Sequence, residues 1–325
     1  MSMLNFGVIG TNFISDKFAD AVDKVNGVSV LAVYSRSEDS GSRFSKKHSV
    51  PKIYCDLDMM LADPDIDAIY VASPTFLHKE HAVRALNAGK HVLCEKSISV
   101  DYGEFLEMEA AALKCDRVLL EAMRPAYDPA LSAIIGLLPE LGQIRRAHLE
   151  FCKYSSRYDN FKKGIIENAF NVEMKNSALS DIGIYPLWLA VRLFGEPSSI
   201  CAASVRLSNG FDGAGSVMLN YGDKITTVDY SKITESFAPS LIEGERATLL
   251  IDKISEPRKI VYSSKSGDAK TVYSNPCENN MIYEVEAFKE SVEGKRDWRE
   301  YLAISKTLMK TFDRIVSAQN LQIEY

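Results

Sequence analysis

Residues 4–15 read Leu4-Asn5-Phe6-Gly7-Val8-Ile9-Gly10-Thr11-Asn12-Phe13-Ile14-Ser15. Leu4 to Ile9 make a short apolar strand, Gly10 breaks it, and a helical period runs from Ile14 to Val25. A second apolar run, Val28–Tyr34, follows. Strand, turn, helix and strand form the unit that right-handed crossovers build into a parallel sheet. In dinucleotide-binding folds the turn reads G-x-G-x-x-G: the first glycine makes the turn, the second admits the pyrophosphate, and the third lets the helix pack on the strand. Here it reads Gly10-x-Asn12-x-x-Ser15. Asn12 is expected to replace the second glycine because Asn enters left-handed backbone more readily than most residues. Ser15 is small. The amides of the helix N-terminus suit an anion. Taken alone, the loop fits equally well an ordinary strand–helix turn that binds no dinucleotide.

Outward from this unit the alternation continues. Strands are expected at Lys52–Tyr54, Ala68–Ala72, His91–Glu95 and Val118–Ala122, and helices at Ser40–His48, Leu57–Ala62, Leu77–Ala88 and Tyr102–Lys114. Several strands are apolar without alternation, as when both faces of a sheet are covered. Residues 1–123 are therefore expected to form an α/β Rossmann domain with a doubly wound parallel sheet. The pattern changes over 124–325. After a helix, Pro129–Leu141, apolar residues recur with period two: Ala147, Leu149 and Phe151, then Cys201, Ala203, Val205 and Leu207, then Val217, Leu219 and Tyr221, then Thr226, Val228 and Tyr230. Gly222-Asp223 reads as a hairpin turn. One helix, Ala178–Leu193, stops at Gly195, and two more, Asn279–Glu293 and Glu300–Gln319, close the chain. This predicts an α+β domain with a mainly antiparallel open sheet, one face helix-covered and the other left to solvent or a partner.

The composition narrows the function classes. At 46% hydrophobic and 25% charged over 325 residues, the chain is neither disordered nor fibrous. A net charge of −6 repels a phosphate backbone, and Lys46-Lys47-His48 and Arg145-Arg146 are isolated clusters, so no nucleic-acid partner is expected. No apolar run has the length of a membrane span, and Met3–Ile9 leads straight into a strand rather than a secretory leader. A cytoplasmic protein with no membrane partner is expected. The six cysteines, Cys55, Cys94, Cys115, Cys152, Cys201 and Cys277, form no C-x-x-C pair and read as small buried hydrophobes of a reducing compartment. His78 and His81 have a spacing that can hold a metal, but no third ligand lies nearby and no metal is expected.

The second strand ends in Ser35-Arg36-Ser37. NAD-specific sites carry Asp or Glu there for the ribose 2′-hydroxyl, whereas Arg accommodates a 2′-phosphate. With Gly10, Thr11, Asn12, Phe13 and Ile14 in the loop, Ser35 and Arg36 predict NADP(H), with NAD(H) as the alternative.

Three further stretches carry a resemblance. Asp63-Pro64-Asp65-Ile66-Asp67-Ala68-Ile69-Tyr70-Val71-Ala72-Ser73-Pro74-Thr75-Phe76-Leu77-His78, Ala88-Gly89-Lys90-His91-Val92-Leu93-Cys94-Glu95-Lys96, and Ala178-Leu179-Ser180-Asp181-Ile182-Gly183-Ile184-Tyr185 occur in order over nearly the whole chain. Together they resemble the glucose-fructose oxidoreductase/inositol dehydrogenase (Gfo/Idh/MocA) family. There are departures: the family's E-K-P is Glu95-Lys96-Ser97, and Thr75 stands where Asn is frequent. Ala126, Tyr127 and Asp128 replace an Arg-aromatic-His run, so substrate identity does not carry over. Tyr185 is similar to the glucose-fructose oxidoreductase and dimeric dihydrodiol dehydrogenase branches, where many relatives have His.

The resemblance implies hydride transfer between a nicotinamide and a sugar, polyol, dihydrodiol or related carbonyl compound. Catalysis then needs an oriented carbon and a proton partner for its oxygen. Lys96, just past a strand at the carboxyl edge of the sheet, would bind the substrate oxygen. Tyr185 would be the general acid for carbonyl reduction, and Asp181, one helical turn away, would orient Lys96 or the substrate hydroxyls. Ser73, Pro74, Thr75, His78, Glu95 and Lys96 would contact the cofactor, with Glu95 near the nicotinamide ribose, while His81 packs. Arg124 and Arg157 are candidate substrate contacts. Two other classes stay open: glycoside hydrolysis through transient oxidation by a bound NAD, and a nucleotide-binding regulator without catalysis. The open sheet face implies a homodimer or higher homo-oligomer.

Overall fold

A computed structural model describes residues 3–321. The chain divides into two compact units, one running up to Arg124 together with Glu278–Ser305, the other comprising Pro125–Cys277 and the chain from Lys306 on.

The first unit is a six-stranded sheet of β1 (Leu4–Ile9), β2 (Val28–Tyr34), β3 (Lys52–Tyr54), β4 (Ala68–Val71), β5 (His91–Glu95) and β6 (Leu119–Ala122). Its order is β3-β2-β1-β4-β5-β6, with every pair parallel. The connecting helices are α1 (Phe13–Val22), α2 (Glu38–His48), α3 (Leu57–Leu61), α4 (His78–Asn87) and α5 (Tyr102–Cys115). The order reverses between β1 and β4, and doubly wound sheets take ligands at the carboxyl ends of the strands beside such a reversal. Ile9 pairs with both Tyr34 and Val71, so Gly10, Ser35 and Ala72 emerge together at that edge. Phe18 of α1 stacks on Tyr70 at 3.7 Å, and Phe6 lies 5.2 Å from Phe288.

Phe288 belongs to a later helix, so the first unit ends its first stretch within one residue of the expected 123/124 boundary but is not one continuous segment. The chain returns after residue 277 to cover this sheet, because its fully buried Val285 and Phe288 complete a core that the first 124 residues leave unfinished.

The second unit carries α6 (Pro129–Leu137), β7 (Ile144–Cys152), α7 (Tyr158–Lys162), α8 (Ile184–Phe194), β8 (Ser199–Arg206), β9 (Asp212–Asn220) and β10 (Ile225–Ser231). They are followed by β11 (Ser240–Gly244), β12 (Ala247–Ile251), β13 (Lys259–Ser264) and β14 (Ala269–Ser274). The helices α9 (Met281–Val292) and α10 (Trp298–Leu321) end the series, α10 being shared by both units. The eight strands form one sheet, β14-β13-β12-β11-β7-β10-β9-β8, antiparallel except where β7 meets β10. The Gly222-Asp223 hairpin joins β9 to β10, with Gly222 at φ +87°. Helix α8 lies on β7 and β10, covering Ala147, Leu149, Val217, Leu219, Val228 and Tyr230.

The structure adds β11–β14, which the sequence reading does not assign. It also reverses β8: Ala202 is the buried residue, while Cys201, Ala203 and Val205 face outward beside exposed Met218. The cysteine reading is corrected as well. Cys94 is buried, but Cys55 and Cys201 are exposed and the others half-buried, because Cys201 sits on this uncovered face. Among the described residues no helix is long and apolar enough to cross a membrane.

Candidate active site

The carboxyl edge of the parallel sheet is held together by short polar contacts. Gly10 has φ +105°, and a Cβ there would meet the Ala72 carbonyl oxygen at 2.7 Å, so only glycine fits this turn. Asn12 does not adopt the left-handed backbone expected of it. Its backbone is extended (φ −88°, ψ 178°), and Oδ1 caps α1 by accepting from the amides of Ile14 (3.0 Å) and Ser15 (3.3 Å). Its Nδ2 donates to the Ala72 carbonyl at 2.9 Å, tying α1 to the end of β4. Ser15 is fully buried, in keeping with a position that admits only a small side chain. Thr11 is half-buried, and Phe13, 65% exposed, stands out from the loop.

At the end of β2, Ser35 is buried and accepts from the Ser37 amide at 3.3 Å, turning the chain so that Arg36 is exposed. After β4, exposed Pro74 and half-buried Ser73 and Thr75 lead into α4. His78 is buried there, and both ring nitrogens are engaged, Nδ1 with the Ser97 carbonyl (2.9 Å) and Nε2 with that of Ser73 (2.8 Å). Burial pulls its pKa down to about 4. His78 thus braces the loop after β4 against the turn after β5. His81 packs as expected, with Nδ1 2.9 Å from the Ser73 hydroxyl.

The turn after β5 places half-buried Lys96 at the same edge, and the Lys96–Ser97 peptide is cis. Glu95 ends β5 just before this turn. Its side chain is turned into the unit, accepting from the Tyr70 hydroxyl at 2.5 Å and from the Lys96 amide at 3.2 Å. Around it lies a group of buried acids that the sequence reading missed. Glu121 accepts from the Ser305 hydroxyl (2.7 Å) and the Ile98 amide (3.1 Å), and burial pushes it up to about 7. Glu284 of α9 is fully buried, with neither carboxylate oxygen hydrogen-bonded, and burial and the charge of Glu95 raise its pKa well above the usual range. The charges of Lys96 and Arg124 act against burial at Glu95. The charge of Arg124, a candidate substrate contact, thus reaches these acids.

In the other unit, Asp181 and Tyr185 sit where a helix begins. Ser177 and Ser180 cap each other reciprocally, each amide donating to the other's hydroxyl at 3.0 Å. Residues Leu179–Gly183 then form one wide π-helical turn before α8, a feature often found at functional sites. Gly183 is required inside it, because a Cβ would lie 2.8 Å from the Tyr230 ring. The Tyr230 hydroxyl accepts from Gln319 (2.6 Å) and donates to Asp212 (3.0 Å), which also accepts from the Leu179 amide. Burial pushes Asp212 up to about 6. Asp181 stands partly exposed, its Oδ2 2.8 Å from Lys232 Nζ. Tyr185 is buried, with its ring edge-on to Phe151 at 5.7 Å.

The structure thus groups Gly10–Ile14, Ser35, Arg36, Ser73–Thr75 and Lys96 at one edge of one unit, and Asp181 with Tyr185 at one helix start of the other. Exposed Arg157 pairs with Glu167 at 3.3 Å beside α7. Among the described residues no group of His, Cys, Asp or Glu could hold a metal ion.

The chain has counterparts among known proteins. A family model described as an oxidoreductase family with an NAD-binding Rossmann fold matches residues 4–122. The chain is 40% identical to the scyllo-inositol 2-dehydrogenase (NADP(+)) IolU of Bacillus subtilis over 286 residues, 88% of this chain and 87% of that one. It is 30% identical to the trans-1,2-dihydrobenzene-1,2-diol dehydrogenase of Bos taurus, covering 67% of this chain and 64% of that one. The crystal structure of a 3-ketoreductase from Actinomadura kijaniata, KijD10 with NADP and TDP-benzene, superposes with a TM-score of 0.88 over 98% of each chain at 21% identity. At that identity the likeness speaks for the fold.

Proposed function

The chain belongs to the Gfo/Idh/MocA oxidoreductase family and is an NAD(P)-dependent oxidoreductase acting on CH–OH groups; from that premise we propose that it prefers NADP(H) and oxidises a cyclic polyol of the scyllo-inositol class. The observation that carries the cofactor preference is exposed Arg36 directly after Ser35, at the same sheet edge as the Gly10 turn, where an acidic residue would favour NAD. The Bacillus subtilis relative that shares 40% identity is named for NADP(+) and scyllo-inositol. The bare Gly10 backbone against Ala72 and the capped start of α1 suit a pyrophosphate.

In this reading the amides of Thr11 and Phe13 hold phosphate with Ile14 lining the loop beside them, and Arg36 holds the 2′-phosphate. Ser73, Pro74 and Thr75 line the dinucleotide, while Asn12, His78 and Glu95 fix the loops that do so. The bound nicotinamide supplies the hydride chemistry. Lys96 steadies the substrate oxygen, Tyr185 exchanges its proton, and Asp181 orients a hydroxyl. The test is a titration with NADPH and NADH, followed by scyllo-inositol-dependent reduction of NADP+. Arg36→Ala is expected to weaken NADPH about 10–100-fold, the range of a lost charge-assisted hydrogen bond, with NADH changed less than about threefold. Equal weakening of both would overturn the assignment of Arg36. Net reduced nicotinamide also separates this activity from transient oxidation during glycoside hydrolysis.

The uncovered sheet face carries Cys201, Ala203, Val205 and Met218 outward, a contiguous apolar stripe of the kind buried between subunits. It supports a homo-oligomer through this face. Light scattering at micromolar concentration is expected to give at least a dimer mass, and a monomer mass sinks the idea. The six free thiols favour a reducing cytoplasm, which cell fractionation checks.

A further inference from the structure

Lys232 follows β10, and nothing in a lone lysine after a strand marks it in the sequence. In the structure its side chain is 5% exposed. Nζ donates to the Ala169 carbonyl at 2.8 Å and pairs with Asp181 Oδ2 at 2.8 Å. The ammonium also lies 4.9 Å from the centroid of the Phe170 ring and 5.4 Å from that of Phe211. Its backbone is pinned on both sides, the amide donating to Gly213 and the carbonyl accepting from Ser155, each at 2.9 Å. A buried ammonium is retained where carboxylate, carbonyl and aromatic faces together replace its water. Here, among the described residues, the carboxylate paired with it is the one assigned above to the substrate hydroxyls.

From this geometry we infer that Lys232 is a positioning residue, whose ammonium fixes the rotamer and charge of Asp181 on the wide turn. The inference rests on the proposed role of Asp181. Lys232 adds to it a residue that touches no reacting atom but sets how the carboxylate is presented. A carboxylate anchored by one oxygen to a rigid buried cation loses the rotamer freedom of a partly exposed Asp side chain, and such second contacts hold working groups in register.

The test is a double-mutant cycle in the full-length protein with NADP+ and scyllo-inositol, using Lys232→Met, Asp181→Asn and the pair. Methionine keeps the unbranched apolar stem against Phe170 and Phe211. Near-UV circular dichroism and NADPH binding, a property of the other unit, check folding and are expected unchanged. Lys232→Met is expected to lower kcat/KM about 10–100-fold in the parent and less than about threefold on the Asp181→Asn background, with partial recovery in Lys232→Arg. The same factor on both backgrounds, or parent-like activity of Lys232→Met, overturns the inference and leaves the role of Asp181 standing. Parent-like activity of Asp181→Asn alone overturns the role of Asp181, and the inference with it.

Discussion

Lys96→Ala is expected to bind NADPH within about threefold of the parent while kcat falls by about 10³ or more, the span of a well-placed proton-handling group. Binding is expected to survive because the phosphate contacts proposed above lie elsewhere, in the loop after β1 and at Arg36. The lost group is the cation set by the turn after β5, and a carbonyl oxygen gaining negative charge needs it most in the transition state. Removal also has a readable side effect. The Lys96 charge opposes protonation of Glu95 and Glu121. Without it, Glu121, already pushed up to about 7, keeps its proton to higher pH. Single-turnover kinetics separates binding from chemistry. Parent-like turnover by this variant would refute the catalytic assignment.

The second large effect is expected from Tyr185→Phe. The ring keeps its edge-on contact with Phe151, so the unfolding free energy should fall little, by about the 1 kcal/mol of a lost hydroxyl hydrogen bond. Turnover should drop about 10²–10³-fold with KM changed little, because in the proposed mechanism the hydroxyl exchanges the proton in the transition state. A kcat within threefold of the parent would pass the proton to another group and leave Tyr185 as a packed aromatic.

What the sequence disclosed and what it hid divide along a physical line. The parallel strands, the Gly10 turn and the place of Lys96 after β5 are set by neighbours in the chain, and period and punctuation reveal them. Asn12 was visible as a substitution, but its cap depends on the Ala72 carbonyl 60 residues away. The strands β11 and β12 escaped because Leu241 and Leu250 put apolar side chains on partly exposed positions, blurring the alternation. The outward set of β8 was misread for the opposite reason, since alternation does not say which face is covered. Glu284 and Lys232 carry charges that belong on a surface by default. Only tertiary structure shows that both are buried, and the pairing of Asp181 with Lys232 joins residues 51 positions apart.

The return of Glu278–Ser305 to the first unit bears on how the protein is made. A nascent chain that has released β1 to β6 still lacks the helix whose Val285 and Phe288 seal that sheet. The 153 residues from 125 to 277 must first be translated, roughly 8–30 s at about 5–20 residues per second. Through that interval the part of the sheet around Phe6 that Phe288 covers is open on the ribosome. The second unit's sheet, whose strands end at Ser274, has all its strands before the first unit is whole, yet that unit in turn waits for the chain from Lys306 on, so neither unit is finished until the last helix is made.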